Sequence, residues 1–418
     1  MAARATRSHP TRIHPLATFG GGSAIMVLVY WNTLICRKGP MARAGMLLAT
    51  ALVVALTGCS AGHPARDSDR SSPRPSSSGG GANPAEPSAL PGLEAWVYPG
   101  STGEDTCGAA AEYRDGRLRR GVLKPQYWDV DSSGALKLLD SGLHPCNGFS
   151  EANAADIKGH SAAQYTTVSA MDRSAIAALV SDPARRTAAV GSLTELAKRI
   201  GFTGVDIDFE DFWAWTPDDE RGYEAFLTEL AGSLHRAGLK LQVDAPVETH
   251  DGDSVFSYAA VMRTGVDQLV VMDYGRQFNT PEGERCWAVS PHSWVREAVT
   301  YAQSQVPDKD RLVIGLPSYG FTAPDPCVPD KVKDSVPLAT IRRAPGYSDD
   351  RGTTAARRDA ASGEVRWTAG GTLYDYTDQQ GMDAKLAVLQ QLGVTHVSVW
   401  TLGGNPWFSA GALRRAAR

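Results

Sequence analysis

The segment Gly201-Phe-Thr-Gly-Val-Asp-Ile-Asp-Phe-Glu-Asp211 alternates apolar and acidic residues. Side chains of a β-strand alternate between two faces, so this segment predicts a strand with one apolar and one acidic face. The acidic face carries Asp206, Asp208 and Glu210. In a barrel, the apolar face would lie under the helices and the acidic face would point inward. Glu210 would then lie nearest the carboxyl end of the strand, where barrel active sites are found.

Short runs of β-branched and aromatic residues alternate with helical patterns from Leu93 onward. This alternation is typical of repeated βα units around a parallel sheet, and eight parallel strands close a barrel. We therefore predict an α/β fold, a (β/α)8 TIM barrel over residues 93–418. The predicted strands are Leu93–Tyr98, Val122–Trp128, Tyr165–Ala170, Gly204–Phe209, Leu239–Ala245, Gln268–Tyr274, Leu312–Tyr319 and Val394–Trp400.

About 70 residues separate the seventh and eighth predicted strands, too many for an ordinary βα connection. Within this stretch, Glu364–Thr368 and Thr372–Tyr376 have the pattern of short strands. Asp383–Leu392 has the pattern of the helix before the last strand. We expect a small α+β insertion between strands seven and eight.

The acidic row indicates acid–base chemistry. Carboxylates this close together cannot all stay ionised at neutral pH, so at least one proton is held in the row and one pKa is raised, as a general acid requires. A surface-exposed strand end or a salt-bridged core cluster is the alternative interpretation. The flanking apolar alternation favours the buried, catalytic one.

The stretch 202–210 resembles the signature of glycoside hydrolase family 18, the chitinase-like enzymes. The resemblance continues, in the same order, through Val271-Met-Asp-Tyr274, Gly315-Leu-Pro-Ser-Tyr-Gly320 and Val399-Trp-Thr-Leu-Gly403. It is greatest to the branch of spore-cortex and cell-wall lytic proteins. Two positions depart from the pattern: Thr203 replaces an acidic residue, and Gly275 stands where Asp or Asn often follows the tyrosine.

The resemblance implies a role for each polar residue of the site. Glu210 would be the proton donor, Asp208 would orient the 2-acetamido group of the substrate, and Asp206 would support Asp208 from below. Tyr274 would hydrogen-bond the acetamido oxygen. The implied mechanism is retaining and substrate-assisted, with the acetamido oxygen as nucleophile and no metal or cofactor.

Aromatic residues near the strand ends are candidates for sugar binding. Trp400 would form the floor under the reacting sugar, since an indole face packs against the axial C–H groups of a pyranose. Packing in the barrel core is its alternative role. Further substrate-binding candidates are Met272, Trp213, Trp215, Trp287 and Tyr319, for which loop or barrel packing is the alternative.

The predicted substrate contains β-1,4-linked N-acetylglucosamine, and the sequence leaves chitin, peptidoglycan and an N-glycan core open, with chitin or peptidoglycan favoured. We expect a monomer. A formal net charge of −4, from 42 basic and 46 acidic residues, gives no electrostatic reason to expect nucleic acid. A divalent-cation enzyme is one alternative, which is disfavoured because the three acids share one strand. A catalytically inactive, sugar-binding barrel is the other, and the presence of Glu210 disfavours it.

The N-terminal residues have the composition of targeting sequence. Residues 41–59 combine a basic start, an apolar run and Leu56-Thr-Gly-Cys59, which resembles a bacterial lipobox. Cys59 would carry a lipid that anchors the chain outside the cytoplasmic membrane; a cleaved signal and secretion are the alternative. Residues 1–40 form an extension with an apolar run at 24–34, interpreted as a start-site artefact or a membrane segment. Residues 60–92, with 8 Ser, 5 Gly and 6 Pro, predict a flexible linker.

Four cysteines follow the linker. An even number of cysteines outside the cell predicts two disulfides. The favoured pairing joins sequence neighbours, Cys107 with Cys146 and Cys286 with Cys327. Four buried thiols are the alternative.

Overall fold

The computed structural model describes residues 92–98, 107–114, 118–336, 338–347 and 357–403. The predicted signal peptide, Cys59 and the predicted linker up to residue 91 lie outside the described residues. Among the helices that are described, none combines the length and the apolar character needed to span a membrane.

The described residues form a large parallel sheet and a small antiparallel sheet. In chain order, the strands are β1 (Gly92–Val97), β2 (Val122–Val130), β3 (Leu136–Leu138), β4 (Ala163–Ala170), β5 (Gly204–Phe209), β6 (Lys240–Ala245), β7 (Gln268–Met272), β8 (Leu312–Pro317), β9 (Gly320–Pro324), β10 (Lys333–Val336), β11 (Val365–Ala369), β12 (Thr372–Tyr376) and β13 (His396–Trp400).

Eight parallel strands close into a barrel, in the order β1, β13, β8, β7, β6, β5, β4 and β2. The barrel is closed because β2 pairs with β1, with Glu94 opposite Val122. The predicted (β/α)8 fold is therefore confirmed. β3 pairs antiparallel with β2 and extends one edge outside the barrel.

Helices cover the outside of the barrel. They are α1 (Gly108–Arg114), α2 (Glu151–His160), α3 (Arg173–Ser181), α4 (Pro183–Ile200), α5 (Pro217–Arg236), α6 (Tyr258–Arg263), α7 (His292–Gln305) and α9 (Gln379–Gln391), whereas α8 (Leu338–Arg342) belongs to the insertion before β13. The N-terminus of α5 is an example of how the sequence fixes a helix boundary. The Thr216 side chain accepts from the Asp219 backbone N–H, while the Asp219 carboxylate accepts from the Thr216 backbone N–H, so two N-terminal donors are satisfied.

The insertion between β8 and β13 contains a four-stranded antiparallel sheet in the order β10, β9, β12 and β11. Two of its strands, β11 and β12, correspond to the predicted ones. The sequence patterns missed β9 and β10, and the sixth and seventh predicted strands were too long. In the structure, β7 ends at Met272 and β8 ends at Pro317, so Tyr274 and Tyr319 lie beyond the strands.

The barrel interior is divided into an apolar part and a polar part. A small buried cluster of Trp96, Val270 and Val313, against which Trp400 packs, fills one side. The other side is lined by buried polar groups from β1, β2, β4, β5 and β6, which include Glu94, Lys124, Thr167, Ser169, Asp206, Asp208, Gln242 and Asp244. The candidate site lies above this polar side.

Candidate active site

The acidic strand β5 places its side chains as the alternation predicted. Phe209 packs outward against Phe226 of α5, with the ring centroids 5.8 Å apart. Asp206 points inward, where its Oδ2 accepts from Trp96 Nε1 at 3.2 Å and from Thr167 Oγ1 at 2.8 Å. Asp208 also points inward, and its Oδ2 accepts from Ser169 Oγ at 3.2 Å.

Glu210 follows the last residue of β5 and keeps part of its side chain accessible. Burial, together with the negative charges of Asp244, Asp211 and Asp334, raises the pKa of Glu210 to about 7. Burial and the charges of Glu210 and Asp206 raise the pKa of Asp208 well above its usual range. The two carboxyl groups therefore interact, and protons are retained in the row near neutral pH.

Tyr274 lies two residues beyond β7 and faces the same carboxyl groups. Burial raises the pKa of its hydroxyl well above the usual range, and the charges of Glu210 and Asp208 add to this effect. The phenol therefore stays protonated and can donate a hydrogen bond. Its ring crosses β8 at Gly315, where a Cβ atom would come within 3.3 Å of Tyr274 Cε1.

Gly275 has a positive φ of 93°, a backbone conformation that favours glycine. The chain turns there into the short 3-10 helix Arg276–Asn279, which brings Gln277 into a fully buried position. An Asp or Asn side chain at position 275 would have to adopt this conformation. Glycine adopts it without strain.

Asp334, from the insertion, is a site carboxyl group that the sequence analysis missed. The pairing of β10 with β9 is irregular between Lys333 and Val336, and Ser335 has a positive φ of 51°. Such bulges re-aim side chains. Asp334 Oδ1 accepts from Gln277 Nε2 at 3.0 Å, and Asp334 also accepts from the Tyr319 hydroxyl. Burial raises the pKa of Asp334 to about 7.

The predicted sugar-binding residues differ in exposure. Trp400 is partly accessible and packs against Trp96 and Tyr98, at centroid distances of 5.7 and 5.8 Å. Trp213 follows Glu210 on the short 3-10 helix Phe212–Ala214 and is 46% exposed. Both rings therefore have surface that a sugar could contact.

The remaining aromatic candidates and Met272 are more enclosed. Tyr319 is buried and meets the Tyr274 ring edge-on at 6.2 Å. Met272 and Trp215 are buried as well, and Trp215 packs against Phe212. Trp287 is half-buried beneath Arg276, whose Cζ lies 4.5 Å from the ring centroid. Their assignment to substrate binding stays a prediction.

The polar side of the barrel holds three charged residues that the sequence analysis did not single out. Lys124 of β2 is fully buried, with Nζ 3.5 Å from Asp206 Oδ2, 3.5 Å from Asp244 Oδ1 and 3.8 Å from Glu94 Oε2. Inward carboxyl groups thus come from β1, β5 and β6. Asp206 and Asp208 lie on one strand and Glu210 directly follows it, as expected, but Glu94 and Asp244 add inward carboxyl groups from two other strands. In the described part of the chain, no cluster of His, Cys, Asp or Glu has the arrangement of a metal site.

Both predicted disulfides are present, Cys107–Cys146 and Cys286–Cys327. The second joins the segment after Gly275 to the insertion, because Cys286 precedes α7 and Cys327 follows β9. It therefore lies close in sequence to both partners of the Gln277–Asp334 contact.

The fold and the inward carboxyl groups define a TIM-barrel protein with an acidic row inside the barrel. A family model described as glycosyl hydrolases family 18 matches residues 160–405. The match covers more than half of the chain, and the chain belongs to this family.

Individual relatives agree with this assignment. The cortical fragment-lytic enzyme of Bacillus subtilis is 26% identical over 243 residues, which is 54% of this chain and 52% of that protein. The chain therefore matches about half the length of this curated relative.

Solved structures show the same fold. The spore cortex-lytic enzyme SleL of Bacillus megaterium has a TM-score of 0.63 at 18% identity, covering 80% of this chain and 76% of that one. A class V chitinase from Pseudomonas fluorescens has a TM-score of 0.60 at 22% identity, covering 78% and 100%.

The conformation of Gly275 generates a stability prediction. We expect Gly275→Ala to lower the free energy of unfolding by about 1–2 kcal/mol, because a Cβ atom is strained at positive φ. Crowding would not be the cause, as the nearest atom to that Cβ, Phe278 Cδ2, lies 3.9 Å away. Chemical denaturation measures the change.

A matched control is Gly191→Ala in α4, where an added Cβ meets no atom within 4 Å. That variant should gain about 0.5–1 kcal/mol, since alanine suits a helix better than glycine. Equal stability changes in the two variants would contradict the conformational argument.

Proposed function

We propose that the chain hydrolyses polysaccharides of β-1,4-linked N-acetylglucosamine, chitin or peptidoglycan, by a retaining, substrate-assisted mechanism. The observation that carries this proposal is the meeting of Glu210, Asp208 and Tyr274 at the mouth of the barrel. A carboxyl group with a pKa of about 7 is suited to donate and accept a proton at neutral pH. Membership in the family supports the same reaction class.

In the first step, Glu210 gives its proton to the glycosidic oxygen as the bond from that oxygen to the anomeric carbon breaks. The acetamido carbonyl oxygen of the same sugar forms the new bond to that carbon, so no protein nucleophile is needed. The product is a cyclic oxazolinium ion. Asp208 faces the acetamido N–H and stabilises its positive charge.

In the second step, the Glu210 carboxylate takes a proton from a water molecule, which attacks the anomeric carbon and opens the ring. The configuration is retained because two displacements occur at one carbon. The protonated Tyr274 hydroxyl donates to the acetamido oxygen and holds it in line. The accessible face of Trp400 supports the sugar ring from below.

The resemblance to cell-wall lytic proteins favours peptidoglycan as the natural substrate. Incubation of the purified chain with peptidoglycan and with chitin oligosaccharides, followed by mass spectrometry of the products, tests this preference. Release of muropeptide fragments alone would select peptidoglycan. Absence of products from both substrates would reject the proposed activity.

Loss of the proton donor generates the first prediction on activity. We expect Glu210→Gln to lower the turnover of chito-oligosaccharides by about 10²–10⁴-fold, the usual contribution of a general acid–base residue. Circular dichroism should show an unchanged fold. The matched control is Glu195→Gln on α4, an exposed position outside the site. Equal activity in Glu210→Gln and the parent would remove Glu210 from this role.

The pKa of Glu210 predicts the pH dependence. The acid works in its protonated form, so kcat/KM should fall as the pH rises through about 7. The negative charge of Asp334 contributes to the raised pKa of Glu210. Asp334→Asn should therefore move this basic limb to lower pH.

Kinetics across pH 5 to 9 would measure the limb, with Asp330→Asn as the control. Asp330 is an exposed carboxylate nearby in the insertion. A basic limb that stays in place in Asp334→Asn, or that moves equally in Asp330→Asn, would contradict the electrostatic coupling.

We further propose that Cys59 carries a lipid and that the chain acts on the outer face of the bacterial cytoplasmic membrane. The order of basic, apolar and Leu-Thr-Gly-Cys residues supports this location. The full-length chain should partition into the detergent phase of a Triton X-114 extract, and Cys59→Ser should move to the aqueous phase. Aqueous partitioning of both chains would indicate a secreted form instead.

A further inference from the structure

The polar side of the barrel contains one buried cation, Lys124, among the carboxyl groups of Glu94, Asp206, Asp208 and Asp244. Lys124 is fully buried, and its ammonium also lies 3.6 Å from the centroid of the Trp96 ring. Proximity to Asp206, Asp244 and Glu94 keeps the lysine protonated, since these charges raise its pKa against the effect of burial. A buried positive charge requires a negative one nearby.

Asp206 is the carboxyl group of this cluster with the most hydrogen-bond donors around it. Its Oδ2 receives hydrogen bonds from Trp96 and Thr167 and lies next to Lys124 Nζ. By contrast, neither carboxyl oxygen of Asp244 has a hydrogen-bond donor within the described part of the chain. Donors that stabilise the charged form are therefore concentrated on Asp206.

We propose that Lys124 is a positioning residue for hydrolysis: its ammonium, paired with carboxyl groups of three strands, keeps a negative charge among them beneath the sugar site, while the carboxyl groups above stay able to hold protons. The inference rests on the proposed function. The oxazolinium ion is positive, and a fully protonated row would leave it without a counter-charge. A fully ionised row would leave Glu210 without a proton to give.

Electrostatics agrees with this geometry. Burial raises the pKa of Glu94, Asp208 and Asp244, and the charge of Lys124 opposes that rise at each of them. Removal of Lys124 would therefore favour protonation of the whole row. Besides its own members, the groups that interact with the row are Glu94, Lys124, Tyr165, Asp211, Tyr223, Asp244, Tyr274, Tyr319 and Asp334.

Two substitutions separate the charge of Lys124 from its shape. Lys124→Met keeps the length of the side chain and removes the charge, whereas Lys124→Arg keeps the charge and changes the shape. The decrease of kcat/KM at low pH, its acid limb, reports protonation of the carboxylate that the row must keep ionised. In Lys124→Met, we expect this limb to move to higher pH by at least about one unit and kcat near neutral pH to fall at least tenfold, with little change in KM. In Lys124→Arg, the limb should stay near its original position.

Glu94→Gln is a control that removes a negative charge, instead of the positive charge of Lys124. Glu94 lies on the far side of Lys124 from Glu210 in the strand order, and its side chain accepts from Gln242 Nε2. Loss of its charge should leave the acid limb in place or move it to lower pH. The double variant Lys124→Met/Glu94→Gln removes both partners of a buried pair, which folds are known to tolerate better than loss of one. This double variant replaces Lys124→Met in the kinetic test if Lys124→Met alone does not fold. The acid limb of its kcat/KM profile should also move to higher pH.

A second measurement does not depend on turnover. Infrared absorption of protonated carboxyl groups, recorded without substrate at pH 7, should show one more protonated group in Lys124→Met than in the parent. An unchanged acid limb together with an unchanged carboxyl count would overturn the proposal, as would failure of both methionine variants to fold while Glu94→Gln folds. If the parent hydrolyses none of the substrates, the proposed function fails, and the carboxyl count still decides the role of Lys124.

Discussion

A lysine ammonium buried among carboxyl groups is the interaction on which the centre of this barrel depends. Transfer of several carboxylates from water into a barrel interior is prohibitive unless they are protonated or paired. Lys124 pairs with carboxyl groups of β1, β5 and β6, so it joins three strands as well as balancing charge. The indole of Trp96 contacts both sides of this pair, because its Nε1 donates to Asp206 while its ring lies against the ammonium.

The apolar part of the barrel interior complements the charged part. Val270 and Val313 pack with Trp96 beneath Trp400, and they keep polar groups away from one side of the barrel. Low polarity there strengthens the electrostatic interactions within the acidic row. Gly315 of β8 has no side chain, which leaves room for the Tyr274 ring. The donor and the carboxyl groups can thus approach the same point.

The sequence patterns predicted the parts of the structure that depend on local periodicity. All eight barrel strands follow from short β-branched runs, and the inward direction of Asp206 and Asp208 follows from alternation along one strand. Contacts between distant segments could not be predicted in this way. Lys124 and Asp244 looked like ordinary strand residues because their partners lie on other strands. The direction of the Asp334 side chain depends on a register shift in β10 and on the positive φ of Ser335. A positive φ at a serine cannot be read from the sequence, so Asp334 was missed.

The insertion is tied to the barrel at the same segment that carries Gln277. Glu364, next to β11, accepts from the backbone N–H groups of Val289 and Ser290 and from Lys385 Nζ of α9, all within 3.0 Å. The Cys286–Cys327 disulfide makes a second connection between that segment and the insertion. Both ties join residues 286–290 to the insertion, and the Gln277–Asp334 hydrogen bond joins the preceding turn to it. The insertion therefore places a carboxyl group in the surroundings of Glu210, where its negative charge contributes to the raised pKa of that residue.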